Sequence, residues 1–285
     1  MGARDWPSSA SCRQEAGEGR EEEIMDIDKA LDAMRQQCPL VHCITNYVAM
    51  NVAANTLLAA GASPAMIHCA EEAGEFAAIA GALSVNIGTI SPPWFEGMQQ
   101  AVKAADAAGK PWVLDPVAHF ATTYRARAAR DLLQMKPAIL RGNASEIMAL
   151  AGGVSSGRGV DAGDPVAMAE SGARSLARDH GIVVAVSGAT DFITDGERGW
   201  QLTGGSERMP QVTAIGCSLT CLMAAFAAVV PPAEAAVAAS CMFKEAGERA
   251  AARAEGPGSL GWRFSDALAA IQPGELFPSG RLTEV

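Results

Sequence analysis

Positive charge is scarce in this chain. Its 22 Lys and Arg residues face 32 Asp and Glu, a formal net charge of −10, so a nucleic-acid partner has no electrostatic support. Long apolar runs are missing too. The most apolar segment, 219–230, is about a dozen residues long, short of the ~18–20 that a membrane span needs, so no membrane partner is expected. The first 24 residues have no hydrophobic core of the secretory type. The seven cysteines are odd in number and include no C-x-x-C pair. That argues for a reduced, cytoplasmic setting and against a zinc site. Neither G-x-G-x-x-G nor G-x-x-x-x-G-K-[ST] occurs, which disfavours Rossmann dinucleotide binding and a P-loop.

What is present is 49% hydrophobic and 19% charged, rich in Ala and Gly. This is the composition of a globular chain rather than a disordered one. A length of 285 residues suits one large domain or two small ones. The charged run at 15–23 marks 1–24 as a disordered tail or a non-native start. Met25 precedes a helix-like segment, and one domain is expected over 25–285.

Short apolar strands alternate with helices along that domain. Strands are expected at 39–44, 65–68, 83–87, 112–115, 137–140 and 182–186, with a hairpin at 192–194 and 199–202. Helices are expected at 27–37, from Thr45-Asn46 to about 58, at 71–80, 92–108, 122–135, 143–151, 166–180, 233–250 and 259–271. The pattern predicts an α/β fold, a doubly wound and mostly parallel sheet flanked by helices. Ligands of such sheets bind beyond the C-terminal strand ends. Those ends carry Thr45-Asn46, Asn86, Asp115, Arg141 to Glu146 and Ser187.

The segment 211–230 organises the rest. A turn of small residues, Thr213-Ala-Ile-Gly-Cys-Ser218, opens the apolar run, which reads as a buried helix. The start of such a helix offers unpaired N–H groups and a positive dipole end to an anion. It would also lower the pKa of a thiol held there, Cys217. A tight turn at Gly216 with Cys217 as a small buried residue fits the same letters.

Several motifs in order complete the reading: Pro39-Leu-Val-His-Cys-Ile-Thr-Asn46, Gly61-Ala-Ser-Pro-Ala-Met66, Ala80-Gly-Ala-Leu-Ser-Val-Asn-Ile-Gly-Thr89, Leu114-Asp-Pro-Val117, Arg141-Gly-Asn-Ala-Ser-Glu146, Gly159-Val-Asp161, Val186-Ser-Gly188, Val212-Thr213, Gly216-Cys217 and Gly256-Pro-Gly-Ser259. Together they make the chain resemble the hydroxyethylthiazole kinases of the ribokinase-like superfamily, over roughly 27–271. The resemblance implies transfer of the γ-phosphate of ATP to the primary alcohol of 4-methyl-5-(2-hydroxyethyl)thiazole, in thiamine salvage and with Mg²⁺. It also implies a homotrimer with the thiazole site at the subunit interface.

It further implies site residues. Cys217 stands where related kinases carry an Asp that accepts the alcohol proton. Met66, Asn46 and Ala214 match thiazole-pocket positions. Arg141, Ser187 and Gly216 match the ATP site, an arginine fork being suited to phosphate. Glu146, Asp115 and Asn143 are the oxygen donors for the metal. More ordinary roles fit some of these as well. Asn143-x-x-Glu146 also spells a capping box, Asp115 could form a turn and Ser187 could end a strand. His42 and His68 are expected in the core or at its rim rather than on a metal.

Three departures from the family pattern stand out. Ala214-Ile215 replaces Gly-x before Gly216-Cys217, Ala118-His119-Phe120 replaces Gly-Ala-Gly after Val117, and Ile67-His68-Cys69 follows Met66. If position 214 needs φ > 0, alanine costs roughly 1 kcal/mol there. Two alternatives remain open at this point. One is the ADP-dependent NAD(P)H-hydrate dehydratase of the same superfamily, and the other is a non-catalytic relative that binds nucleotide or thiazole.

Overall fold

A computed structural model describes residues 26–152, 165–276 and 281–285. The tail 1–24 and the Gly159-Val160-Asp161 motif lie outside the described residues. Six parallel strands form the frame: β1 (Leu40–Ile44), β2 (Ser63–Ala65), β3 (Ala82–Asn86), β4 (Trp112–Asp115), β5 (Ile139–Asn143) and β6 (Val183–Ser187). Three antiparallel strands, β7 (Asp191–Thr194), β8 (Gly199–Leu202) and β9 (Leu282–Glu284), complete a nine-stranded sheet of order 2-1-3-4-5-6-7-8-9. The order reverses between β1 and β3, and the crevice of an open α/β sheet forms at such a reversal.

Helices cover both faces, as strands buried on both sides require. On one face lie α1 (Ile27–Gln37), α2 (Met50–Ala60), α8 (Ile215–Ala227), α9 (Pro232–Ala251) and α10 (Pro257–Ala270). On the other lie α3 (Ala70–Ile79), α4 (Pro92–Ala107), α5 (Thr123–Leu133), α6 (Ala144–Leu150) and α7 (Pro165–His180). The organising segment is the most enclosed helix. Every residue of α8 from Ser218 to Ala227 is buried, because α8 lies between the sheet and its neighbours α2 and α9. Among the described residues no helix is long and apolar enough to cross a membrane.

Two sequence expectations are corrected and one strand is added. Strand β2 ends at Ala65 rather than running over 65–68, because the His42 ring bonds the carbonyl of Ile67 at 2.7 Å and draws that segment off the ladder. Helix α2 starts at Met50, not at Thr45-Asn46. Asn46 instead makes its own turn, its Oδ1 accepting the N–H groups of Val48 and Ala49 at 3.1 and 3.0 Å. Strand β9, too short and polar to read as a strand, pairs with β8 at the edge.

Candidate active site

The polar residues at the C-terminal strand ends join into one line across five elements. Asn46, just beyond β1, donates from Nδ2 to Cys217 Sγ at 3.4 Å and to Asn86 Oδ1 at 2.9 Å. Asn86, at the end of β3, donates to Asp115 Oδ2 at 2.9 Å. That same oxygen, at the end of β4, accepts from Thr220 at 2.9 Å and meets Arg141 Nη1 at 3.4 Å. Arg141 Nη2 reaches Ser187 Oγ, at the end of β6, at 2.5 Å. Five of the ten residues that the resemblance assigns to the site, Cys217, Asn46, Asp115, Arg141 and Ser187, thus stand together. Met66 follows β2 on the same rim and packs partly buried against the core.

Helix α8 aims its first turn at this line. Its N-cap, Ala214, has φ 63° and offers no side-chain cap, so the helix's first N–H groups stay available to a ligand. Position 214 therefore does require a left-handed backbone, and alanine bears the strain. The second departure behaves alike, with Ala118 at φ 48°. Both loops keep the conformation that glycine would adopt freely. Gly216 is needed for a different reason. A Cβ there would lie 3.1 and 3.2 Å from the two terminal nitrogens of Arg141, so its absence lets the guanidinium rest against the helix start.

The thiol is not the acid expected of a helix N-terminus. Burial, and then the Asp115 carboxylate, push Cys217 up to about 11. The expectation of a lowered thiol pKa is corrected accordingly: enclosure outweighs the dipole end. Asp115 is fully buried, and burial pushes it up to about 6 against the pull of Arg141. It is no turn former. Its Oδ2 takes all three side-chain contacts, while Oδ1 is buried and without a partner.

Asn143 and Glu146 form the capping box. Asn143 Oδ1 accepts the Glu146 N–H at 3.0 Å, and Glu146 Oε2 accepts the Asn143 N–H at 2.9 Å. Glu146 also reaches out of its helix, since its Oε1 accepts the N–H of strained Ala118 at 2.9 Å. Each carboxylate oxygen keeps a free lone pair. Oxygen donors of this kind, with the unpartnered Asp115 Oδ1 nearby in the fold, suit a hard divalent cation.

Sequence reading assigned no role to four participants. Asn86 links the two halves of the line, and its place at a strand end was its only signal. Thr220 sits three residues after Cys217, one helical turn on, a polar residue inside an apolar run. Gly88 lets Asn46 pack, because a Cβ there would come within 2.6 Å of the Asn46 side chain. Arg125, from α5, bonds the carbonyls of Ile87 and Val117 at 2.9 and 3.1 Å, and that of Gly88 as well. It ties together the loops that follow β3 and β4. His42 is buried under Phe76, and His68 stacks on Trp94 with centroids 4.4 Å apart.

Comparison with known proteins adds an independent line. A curated hydroxyethylthiazole kinase from Gemmatimonas aurantiaca is 59% identical over 279 residues, 98% of each chain. One from Rhizobium etli is 66% identical over 243 residues, 85% of this chain and 94% of that one. The structure of the hydroxyethylthiazole kinase protein from Pyrococcus horikoshii OT3 matches with a TM-score of 0.84 at 38% identity, covering 91% of this chain and 98% of that chain. A pyridoxal kinase from Staphylococcus aureus matches with a TM-score of 0.57 at 18% identity, covering 74% of this chain and 88% of that one, a likeness of fold alone, the ribokinase-like one. The model of the hydroxyethylthiazole kinase family matches residues 31–274, and the chain belongs to that family.

Proposed function

We infer that this protein transfers the γ-phosphoryl group of ATP to the primary alcohol of 4-methyl-5-(2-hydroxyethyl)thiazole, in thiamine salvage. The observation that carries the reading is the unbroken polar line from Cys217 to Ser187 beneath the open N-terminus of α8. Phosphoryl transfer asks for positioning and charge stabilisation more than for covalent chemistry. The line divides accordingly. Arg141, Ser187 and Gly216 form the nucleotide side, with the guanidinium directed at phosphate oxygens. The first N–H groups of α8 receive the charge that builds on the transferred group. Asn46, Met66 and Ala214 form the thiazole side, with the Met66 thioether packing on the heterocycle.

Glu146 and Asp115 would hold Mg²⁺, and Asn143 orients Glu146 through the cap. When bound, the ion neutralises phosphate charge. Cys217, held neutral at physiological pH by burial, neighbours the alcohol as a thiol that can hydrogen-bond it rather than as a base, and the alcohol's proton passes to an oxygen of the transferred phosphoryl group. A loose transition state leaves the attacking oxygen little need of a strong base. Glycine-like geometry at Ala214 and Ala118 argues against a degenerate, non-catalytic relative, since the anion site keeps its shape. The protein works in the cytoplasm as a homotrimer on this reading.

The test is ADP release from ATP·Mg with hydroxyethylthiazole, for the intact protein and for Cys217→Ala. Thiazole-dependent turnover is expected, falling roughly ten- to a hundredfold in the variant as a positioning contact to the alcohol is lost. Folded protein that binds both ligands without turnover would refute the kinase reading.

A further inference from the structure

A second charged cluster lies behind the nucleotide side, and the reaction as described does not use it. Lys244, on α9, is buried with its ammonium facing inward. Its Nζ donates to the carbonyls of Gly188, Ala189 and Gly204 at 3.1, 3.0 and 3.2 Å and lies 3.2 Å from Asp191 Oδ1. Asp191 is buried as well, and its Oδ1 also accepts the Gly188 N–H at 2.8 Å. The three protons of the ammonium thus meet four oxygens from two separate loops. One loop, 188–191, follows β6 directly after Ser187. The other, at Gly204-Gly205, follows β8 and has φ of 111° and 84°. Glu248, one turn further along α9, accepts the Gly205 N–H at 3.0 Å.

A buried ion pair is weak grounds for stability, since desolvation offsets most of its attraction. Its geometry here serves position instead. The peptide that Lys244 grips begins at Gly188, next to Ser187, whose hydroxyl sets one arm of Arg141 at 2.5 Å. We propose that Lys244 is a positioning residue for the nucleotide: its ammonium, set among three carbonyls and Asp191, fixes the loop after β6 and through Ser187 the phosphate-directed face of Arg141. This rests on the reading that Arg141 and Ser187 contact ATP.

Steady-state kinetics of Lys244→Ala, Asp191→Asn and Arg141→Lys in the intact protein test it. For Lys244→Ala the KM for ATP is expected to rise about ten- to a hundredfold, as a loosened contact would make it, while the KM for hydroxyethylthiazole stays within about twofold. Added propylammonium, which returns the missing ammonium, should recover most of the ATP effect, whereas tetramethylammonium, with no N–H to donate, should not. An unchanged KM for ATP in folded Lys244→Ala, an equal rise for both substrates, or rescue by either ion alike overturns the proposal. Should Lys244→Ala fail to fold, Asp191→Asn decides: a selective rise in the KM for ATP upholds the proposal and no rise overturns it. Arg141→Lys separates the two layers. If it leaves the KM for ATP unmoved, the nucleotide assignment fails and takes the inference with it. If it raises that KM and Lys244→Ala does not, the inference alone fails.

Discussion

At the scale of single residues, the two unusual features of this site are a thiol that resists ionisation and two alanines in glycine conformations. The thiol makes a prediction about reactivity. Cys217 is pushed from 9.0 to about 11, which leaves about a hundredfold fewer thiolates than an ordinary cysteine has below pH 9. Alkylation of Cys217 by iodoacetamide, followed by peptide mass spectrometry, should therefore be about a hundredfold slower than that of a cysteine in an unfolded peptide, and should climb about tenfold per pH unit from 7 to 10 with no plateau. A plateau near pH 8 would mean that the helix dipole had won after all, and would return Cys217 to the role of a thiolate base. The alanines make a prediction about stability. Ala214 sits at φ 63°, where an L side chain costs about 1 kcal/mol and glycine nothing. Ala214→Gly should raise the melting temperature by roughly 2–4 °C and leave the KM for ATP unaltered. A loss of stability would show that Ala214's methyl group packs usefully in the pocket.

At the scale of elements, the short helix α6 does two jobs at once, and a pair of variants separates them. Glu146 closes the capping box and also holds the Ala118 N–H, joining α6 to the loop after β4. Glu146→Gln removes the charge but keeps an oxygen for only one of the two N–H groups, its amide NH2 facing the other, so it should lose about 1–2 kcal/mol in urea together with at least about tenfold in turnover. Glu146→Ala leaves buried N–H groups unmet and should lose about 1–3 kcal/mol as well. Full turnover in Glu146→Gln would reduce Glu146 to a cap. The double role also shows what could be read before the fold was known. Asn143-x-x-Glu146 was legible as a cap and as a metal site alike, because both need the same oxygens at the same spacing. The strand ends were legible through their polar residues, since a period of apolar runs followed by Asn, Asp, Arg or Ser marks the C-terminal rim. Asn86 and Thr220 were not legible as partners, because the bonds they make join positions 29 and 105 residues apart. Lys244 was hidden in the same way. A lone lysine in an alanine-rich helix reads as a solvated charge, and only the fold brings two glycine loops to it.

At the scale of the whole molecule, the sheet reversal between β1 and β3 lies near one edge of the sheet, and the proposed thiazole side lies beside it. The surface beside it is unusually apolar. Tyr47 and Val48 follow Asn46 directly and are 66% and 56% exposed. They are held out rigidly, since the Tyr47 ring stacks on Trp94 with centroids 4.6 Å apart and its N–H bonds Thr89 Oγ1 at 3.1 Å. Large apolar side chains fixed in water next to a proposed binding residue suit a surface that another molecule covers. In the proposed homotrimer that cover is a second copy of the chain, and the pocket is then finished by the neighbour. Val48→Glu tests the arrangement, because a carboxylate at a dry interface stays unpaired and charge there weakens association strongly. Light scattering should find the parent protein as a trimer and the variant as smaller species. The KM for hydroxyethylthiazole should rise at least about tenfold in the variant while the KM for ATP holds within about twofold, since Arg141 and Ser187 lie three and four strands away from β1 in the sheet. A parent protein that is fully active as a monomer would dismiss the shared pocket. A variant that dissociates yet keeps its thiazole KM would show instead that each chain builds its pocket alone, and that Tyr47 and Val48 serve assembly only.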